Sequence, residues 1–367
     1  MSAAVAEAIN GDSRMNRRQL IARTIGSLGA AWSLGLPSMA IAKSRARKAP
    51  PFSTAARERF MERYMRRPGR KNVLAWAPIK NGFQHNSISH AIAVMEEIGY
   101  ASQIYDTYIH TDSEPITLDG MIGSYGQKVF GRDLTNYDAI FCLGVREVYL
   151  TAQQRADLLE FIRNGGGFVG VHAASTMFLP WPPFDRQPDR EEHCDRAFKR
   201  WPEFNRMLGG TFDGHPFGVI DAPIIVDDPL FPATRFLPAK FNLRDEMYQF
   251  KNWSRNEMDV VLRLDTTHLN LHHRGVHDHT PDWPLAWAKT YGKGRIFYCA
   301  LGHARTTWDI PDVQRIYFEG LKWALRLEDA DVSPHPMRQV AGPTAELAAP
   351  PPPCGPSWAL PKRGTAA

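Results

Sequence analysis

Between residues 72 and 326 the chain alternates short apolar runs with amphipathic stretches, and nothing else in the sequence restricts its fold as much. NVLAWA (72–77) reads as a buried strand, followed by a helix carried by Ile88, Ile92, Val94, Met95 and Ile98. ASQIYD (101–106) returns to strand, and DAIFCLG (138–144) is a buried strand ended by glycine. TAQQRADLLEFIRNGGG (151–167) has an N-cap at Thr151, helical periodicity and a stop at Gly165. FVGVH (168–172), APIIV (222–226), VVLRL (260–264), PLAWAKTY (284–291) and RIFYCAL (295–301) read as strands, with GKG (292–294) as a hairpin turn. A helix, PDVQRIYFEGLKWAL (311–325), closes the series. Short buried strands alternating with helices predict an α/β domain built on a mainly parallel sheet covered on both faces. In such sheets ligands bind at the carboxyl ends of the strands.

The domain is expected over residues 71–327, and the two ends of the chain read differently. Residues 15–42 (MNRRQLIARTIGSLGAAWSLGLPSMAIA) place Arg17-Arg18 before a weakly apolar stretch that ends in an A-x-A site at Ala40-Ile41-Ala42. That order predicts a twin-arginine signal over 1–42, export to the periplasm, and no stable membrane anchor after cleavage. This route carries folded proteins, many of them with a cofactor. Residues 43–70 form a basic lead-in, and the Pro/Ala-rich segment 328–367 is expected to be a disordered tail. The net charge of +5 is small for 367 residues, and without the signal it is about +3, so nucleic acid is not an expected partner. Cys142, Cys194, Cys299 and Cys354 share no C-x-x-C spacing and indicate no disulfide framework. GGGFVG (165–170) matches a dinucleotide fingerprint literally, but its glycines follow a helix and open a strand, the reverse of the required order.

The chemistry-bearing residues fall where strands hand over to loops. His85 follows the first strand, His172 ends FVGVH, His215 lies in FDGHP, His303 ends RIFYCALGH, and Asp245-Glu246 lie in LRDEMYQF. Strand, sharp turn and small residues around His172 match the geometry of a nucleophile elbow. Histidine there suits a metal ligand or general acid/base better than an acyl-transfer nucleophile. His172, His215 and His303 are the candidate metal ligands, with zinc the ion that imidazoles favour; His85, His172, Asp245 and Glu246 are the candidate catalytic groups. Gln84, Trp181, Trp308 and His279 are candidate substrate contacts, the tryptophans as stacking walls for a sugar. An isolated loop histidine is usually a solvated or hydrogen-bonded surface group, and His90, His110, His193 and His335 are read that way.

Five blocks resemble the trehalose-utilisation (ThuA-like) family: GFQHNSI (82–88), NGGGFVGVHAAS (164–175), WPEFNRMLGGTFDGHP (201–216), LRDEMYQF (243–250) and WPLAWAKTYGKGRIFYCALGHARTTW (283–308). The resemblance implies a three-layer α/β/α sandwich of the flavodoxin-like, class I glutamine-amidotransferase-like type. It carries the family's shared polar residues onto His85, His172, His215, Asp245, Glu246 and His303. Gln84 stands where the family usually has arginine, and the segment 177–200 is longer than usual, a candidate lid. The resemblance further implies carbohydrate catabolism, with 3-keto sugars made by a partner sugar dehydrogenase. Two functions follow as expectations. One is a metal-assisted isomerase, lyase or hydrolase acting on a sugar or 3-keto-sugar glycoside. The other is a non-catalytic periplasmic carbohydrate-binding or scaffold protein.

Overall fold

The computed structural model describes residues 67–79, 84–120, 131–145, 149–179 and 201–349. The expected signal (1–42), nearly all of the basic lead-in, most of the candidate lid, and Trp181 lie outside the described residues. Strand β1 (Lys71–Trp76) leads into helix α1 (Ile88–Ser102), which buries Ile88, Ala91, Ile92, Met95 and Gly99 against the sheet. Helix α1 runs to Ser102, so the strand expected at 101–106 instead begins later, as β2 (Tyr105–His110). The shift has a local cause: Gln103 closes the helix with φ +60°, and the Arg70 guanidinium bonds the carbonyls of both Gly99 and Tyr105 across the joint.

Strand β3 (Ala139–Cys142) is followed by α2 (Ala152–Arg163), whose start is a full capping box. Thr151 accepts from the Gln154 backbone N–H, and the Gln154 side chain returns the bond to the Thr151 N–H. The chain then forms β4 (Gly167–Val171), the short α3 (Pro202–Leu208), β5 (Thr211–Gly214), β6 (Val219–Val226), β7 (Lys240–Glu246) and β8 (Gln249–Lys251). Strands β9 (Asp259–Leu264), β10 (Trp283–Tyr291) and β11 (Gly294–Cys299) precede α4 (Pro311–Ala324) and β12 (Ala345–Glu346). Among the described residues, no helix is long and apolar enough to cross a membrane.

Ten strands form one mixed sheet in the order β12-β7-β6-β9-β10-β11-β4-β3-β1-β2, and β5 pairs with β8 in a separate ribbon. The half that runs from β2 to β11 is parallel throughout. Beyond it, β10, β9, β6 and β7 pair antiparallel, starting with the expected hairpin in which Tyr291 faces Gly294. Period-two alternation divides the core. On β11, Phe297 packs toward α4, where Gly320 leaves room for its ring. Its neighbour Tyr298 faces the opposite layer with Trp287 and Phe250. Cys142 and Cys299 are buried in strands, and neither forms a disulfide among the described residues.

One expectation needs correction. The tail predicted to be disordered from residue 328 is laid along the sheet up to residue 349, and residues 350–367 lie outside the described residues. The Arg338 backbone N–H donates to buried Asp227, Arg338 bonds the Val226 carbonyl, and Ala345–Glu346 adds a parallel strand to β7. Low apolar content made this segment look unable to pack, but backbone hydrogen bonds and ion pairs tie it down. His335, read as a solvated or hydrogen-bonded surface histidine, is hydrogen-bonded within the same attachment: its Nε2 lies 2.9 Å from fully buried Asp259.

Candidate metal and active site

Three strand ends on one edge of the sheet supply imidazoles. His85 follows β1, His172 follows β4, and His303 follows β11. Because β1, β3, β4 and β11 run parallel, their carboxyl ends share that edge. Glu246 arrives by another route. The β6–β7 ladder extends from Val219 to Ile225, whereas β9 pairs only with Ile224–Val226, so the far end of the ribbon overhangs the sheet. The overhang brings Asp245 to the loop after β11, where its carboxylate accepts from the backbone N–H groups of Gly302 (2.6 Å) and His303 (3.2 Å). A third bond comes from the Glu246 N–H at 2.9 Å.

His172 sits at the elbow with φ +42°, in the left-handed region that non-glycine residues rarely enter, at a cost of order 1–3 kcal/mol. From it the chain runs on as a short 3-10 turn, His172–Thr176. Its Nδ1 lies 2.5 Å from the Ala300 carbonyl. A carbonyl only accepts, so Nδ1 carries a proton, and Nε2 faces the site. Around that nitrogen stand the Tyr248 hydroxyl at 2.8 Å, Glu246 Oε2 at 3.3 Å and His303 Nδ1 at 3.3 Å. His303 Nδ1 is 3.2 Å from Glu246 Oε2, and the His85 ring meets those of His172 and His303 edge-on, with centroids 5.0 and 4.9 Å apart.

The electrostatics follow from this crowding. Burial alone would raise the Glu246 pKa, but hydrogen bonds from His172 and His303 outweigh it and hold the carboxyl well below the usual range. The bond to Glu246 raises the His303 pKa above its ordinary value, against burial. His85 is pushed down to about 4 by burial and by the neighbouring His172 and His303, which leaves it neutral at physiological pH. Burial pushes Asp245 up, against the pull of His172 and of the N–H groups it accepts.

His85, His172, Glu246 and His303 thus offer ligand atoms that all lie within 4.8 Å of one another, a group able to hold a metal ion. Two of the three expected metal ligands, His172 and His303, belong to it. His215 instead stands at the rim, half exposed, with Nδ1 3.5 Å from Glu246 Oε1. Asp245, a candidate catalytic group, has both oxygens occupied by backbone N–H groups and shapes the loop that presents His303. Trp308 is not a sugar platform: its ring is fully buried, stacked on Tyr317, with its N–H given to the Gly302 carbonyl. The short 3-10 turn Arg305–Asp309 turns the indole into the core. His279 is exposed and engaged within its own loop by the Leu271 carbonyl and the His272 ring, while Gln84 is exposed just ahead of His85. Sequence reasoning missed Tyr248. Its place two residues after Glu246, just ahead of β8, gave no signal that its hydroxyl reaches His172.

A mixed, mainly parallel α/β sheet with a strained elbow after β4 is consistent with a flavodoxin-like, class I glutamine-amidotransferase-like fold, and here the elbow carries an imidazole. The family model described as trehalose utilisation (ThuA) matches residues 72–187 and 192–324, and the chain belongs to that family. Among solved structures, a putative ThuA-like protein from Bacteroides uniformis is 20% identical with a TM-score of 0.53, covering 71% of this chain and 93% of that one. Another, from Parabacteroides merdae, is 18% identical with a TM-score of 0.51, covering 71% and 92%. At these identities the likeness concerns the fold. Among curated proteins, none matches this sequence.

Proposed function

We propose that this protein is an exported enzyme of carbohydrate catabolism that uses a divalent transition metal, zinc by preference, on a sugar or 3-keto-sugar glycoside. The convergence of His85, His172, Glu246 and His303 at the carboxyl edge of the sheet carries this reading. Three imidazoles and one carboxylate suit zinc, and such an ion when bound polarises a carbonyl or hydroxyl oxygen. Family membership supports a carbohydrate substrate, and the paired arginines with the A-x-A site support export to the periplasm. A sugar dehydrogenase would supply the 3-keto substrate.

The chain's own residues divide the work. The Ala300 carbonyl fixes the tautomer of His172, and Asp245 holds the loop that presents His303. His85 and Glu246, first candidates for proton transfer, are drawn into the ligand group. The transfer then falls to His215, which borders Glu246 from the exposed rim and can meet both solvent and substrate. Isomerisation, elimination and hydrolysis all use a polarised oxygen beside such a base.

The test is elemental analysis of mature protein purified without an affinity tag, beside His172→Ala, followed by turnover assays with trehalose and 3-keto-glucosides. Stoichiometric metal that is lost in the variant, together with turnover that follows the metal, is the expected result. Absence of metal from both proteins after incubation with zinc would sink the reading.

A further inference from the structure

We infer that Tyr298 and Ser175 are positioning residues for His172. By holding its main-chain carbonyl they keep the elbow in the left-handed conformation that turns the imidazole into the ligand group, a role that rests on the metal-assisted reading above. Both side chains are fully buried. The Tyr298 hydroxyl donates to the His172 carbonyl oxygen at 2.6 Å. Ser175 Oγ lies 2.9 Å from the Tyr298 oxygen and 3.2 Å from the same carbonyl, so its proton has an acceptor on either side.

The Tyr298 ring lies in an apolar layer, with centroids 4.4 Å from Trp287 and 5.7 Å from Phe250. Phenylalanine would fill that place with no polar atom to satisfy, so packing alone does not call for the hydroxyl. What the hydroxyl meets is strained backbone. His172 has φ +42°, and a residue with a side chain stays in that region only while its surroundings over-determine it. The direction of its carbonyl follows ψ, so a donor on that oxygen fixes the second backbone angle. The ring is fixed separately, by Nδ1 at 2.5 Å from the Ala300 carbonyl. Tyr298 and Ala300 stand two residues apart at the end of β11, beside β4, where Cys299 faces Val171. The β11 end therefore grips His172 by backbone and by ring, and the same loop carries His303. The rest of the 3-10 turn has bonds of its own: Thr176 Oγ1 donates to the Ala173 carbonyl, and the Met177 N–H to the Ala174 carbonyl.

Tyr298→Phe deletes only the oxygen, and Phe297→Leu serves as a core change on the opposite face of the same strand. Wild type and both variants are stripped with chelator and loaded with cobalt(II), whose visible d–d absorption reports the geometry of its ligands. Zinc affinity is read by competition with a chelating dye, and melting temperature is followed alongside. Both variants are expected to melt below wild type. Only Tyr298→Phe should also shift the cobalt spectrum and weaken zinc binding, by about tenfold or more. A folded Tyr298→Phe protein with wild-type spectrum and affinity overturns the inference and leaves the metal reading standing, since a purely structural tyrosine gives that result. Equal weakening in Phe297→Leu overturns it as well. Wild type that binds neither ion overturns the metal reading, and the inference with it. If Tyr298→Phe does not fold, Ser175→Ala carries the same comparison at the same carbonyl: a shifted spectrum and weaker zinc binding are expected, and wild-type values overturn the inference.

Discussion

Asp245 and Glu246 are neighbours in the chain with opposite tasks. On β7 the side chains of Phe241, Leu243 and Asp245 share the buried face, so Asp245 takes a position where an apolar residue would be expected. There its carboxylate organises three backbone N–H groups, while Glu246, on the alternate face, meets the imidazoles. Gly302, one of those donors, has φ +107°, and a Cβ there would meet the Trp308 indole at 3.0 Å, so only glycine fits between the carboxylate and the ring. Asp245→Asn keeps the shape but exchanges an acceptor for a donor that faces backbone N–H groups. It is expected to lower stability by about 2 kcal/mol in chemical denaturation and to weaken zinc binding by loosening the His303 loop. Unchanged stability would show that those hydrogen bonds contribute little.

Among the elements, the segment after α4 behaves least as its composition suggests. It is held by a cluster of charges: Asp227 pairs with Arg255 and Arg263, Arg255 also pairs with Asp282, and Arg263 bonds the Arg338 carbonyl. His335 reaches buried Asp259, whose pKa burial and neighbouring Asp228 raise to about 8. Burial lowers the His335 pKa, but the Pro336 carbonyl and the carboxylates of Asp259 and Asp227 reverse the shift and raise it. Both groups therefore bind protons more tightly in the folded state than in the unfolded one. Their contribution is fully present below the unfolded values and is lost as pH rises toward about 8. Thermal stability is expected to decline over that interval, and Asp259→Asn should flatten the decline. Hydrogen exchange across residues 333–349 should quicken with rising pH and in His335→Ala; fast exchange at every pH would refute the attachment.

At the scale of the whole molecule, the ligand group gathers residues from the first strand to the last strand of the parallel half, together with the overhanging β7. An ion held there would crosslink segments that are distant in the chain, and would bind the folded state alone. Zinc at a hundredfold excess over its dissociation constant should add about 2.7 kcal/mol. A rise in melting temperature with zinc, reversed by chelator and absent in His172→Ala, is the expected pattern. An equal rise in the variant would place the stabilising ion elsewhere.

Local signals determined much of this without tertiary information. The parallel half of the sheet, the Thr151 cap, the β10–β11 hairpin and the strand-end placement of His85, His172 and His303 all follow from periodicity and punctuation that neighbouring residues share. Short-range physics sets where a strand stops, and in a parallel sheet every stop falls on one edge. What the sequence could not decide depends on contacts between segments far apart in the chain. Whether Glu246 or His215 joins the imidazoles depends on how far the β6–β7 ribbon overhangs β9. Whether Trp308 faces ligand or core depends on the turn of a short 3-10 segment. Whether Tyr248 is core or site depends on a single 2.8 Å approach to His172. Local pattern carries burial and period. Direction and distance between side chains arise only once the strands are laid side by side.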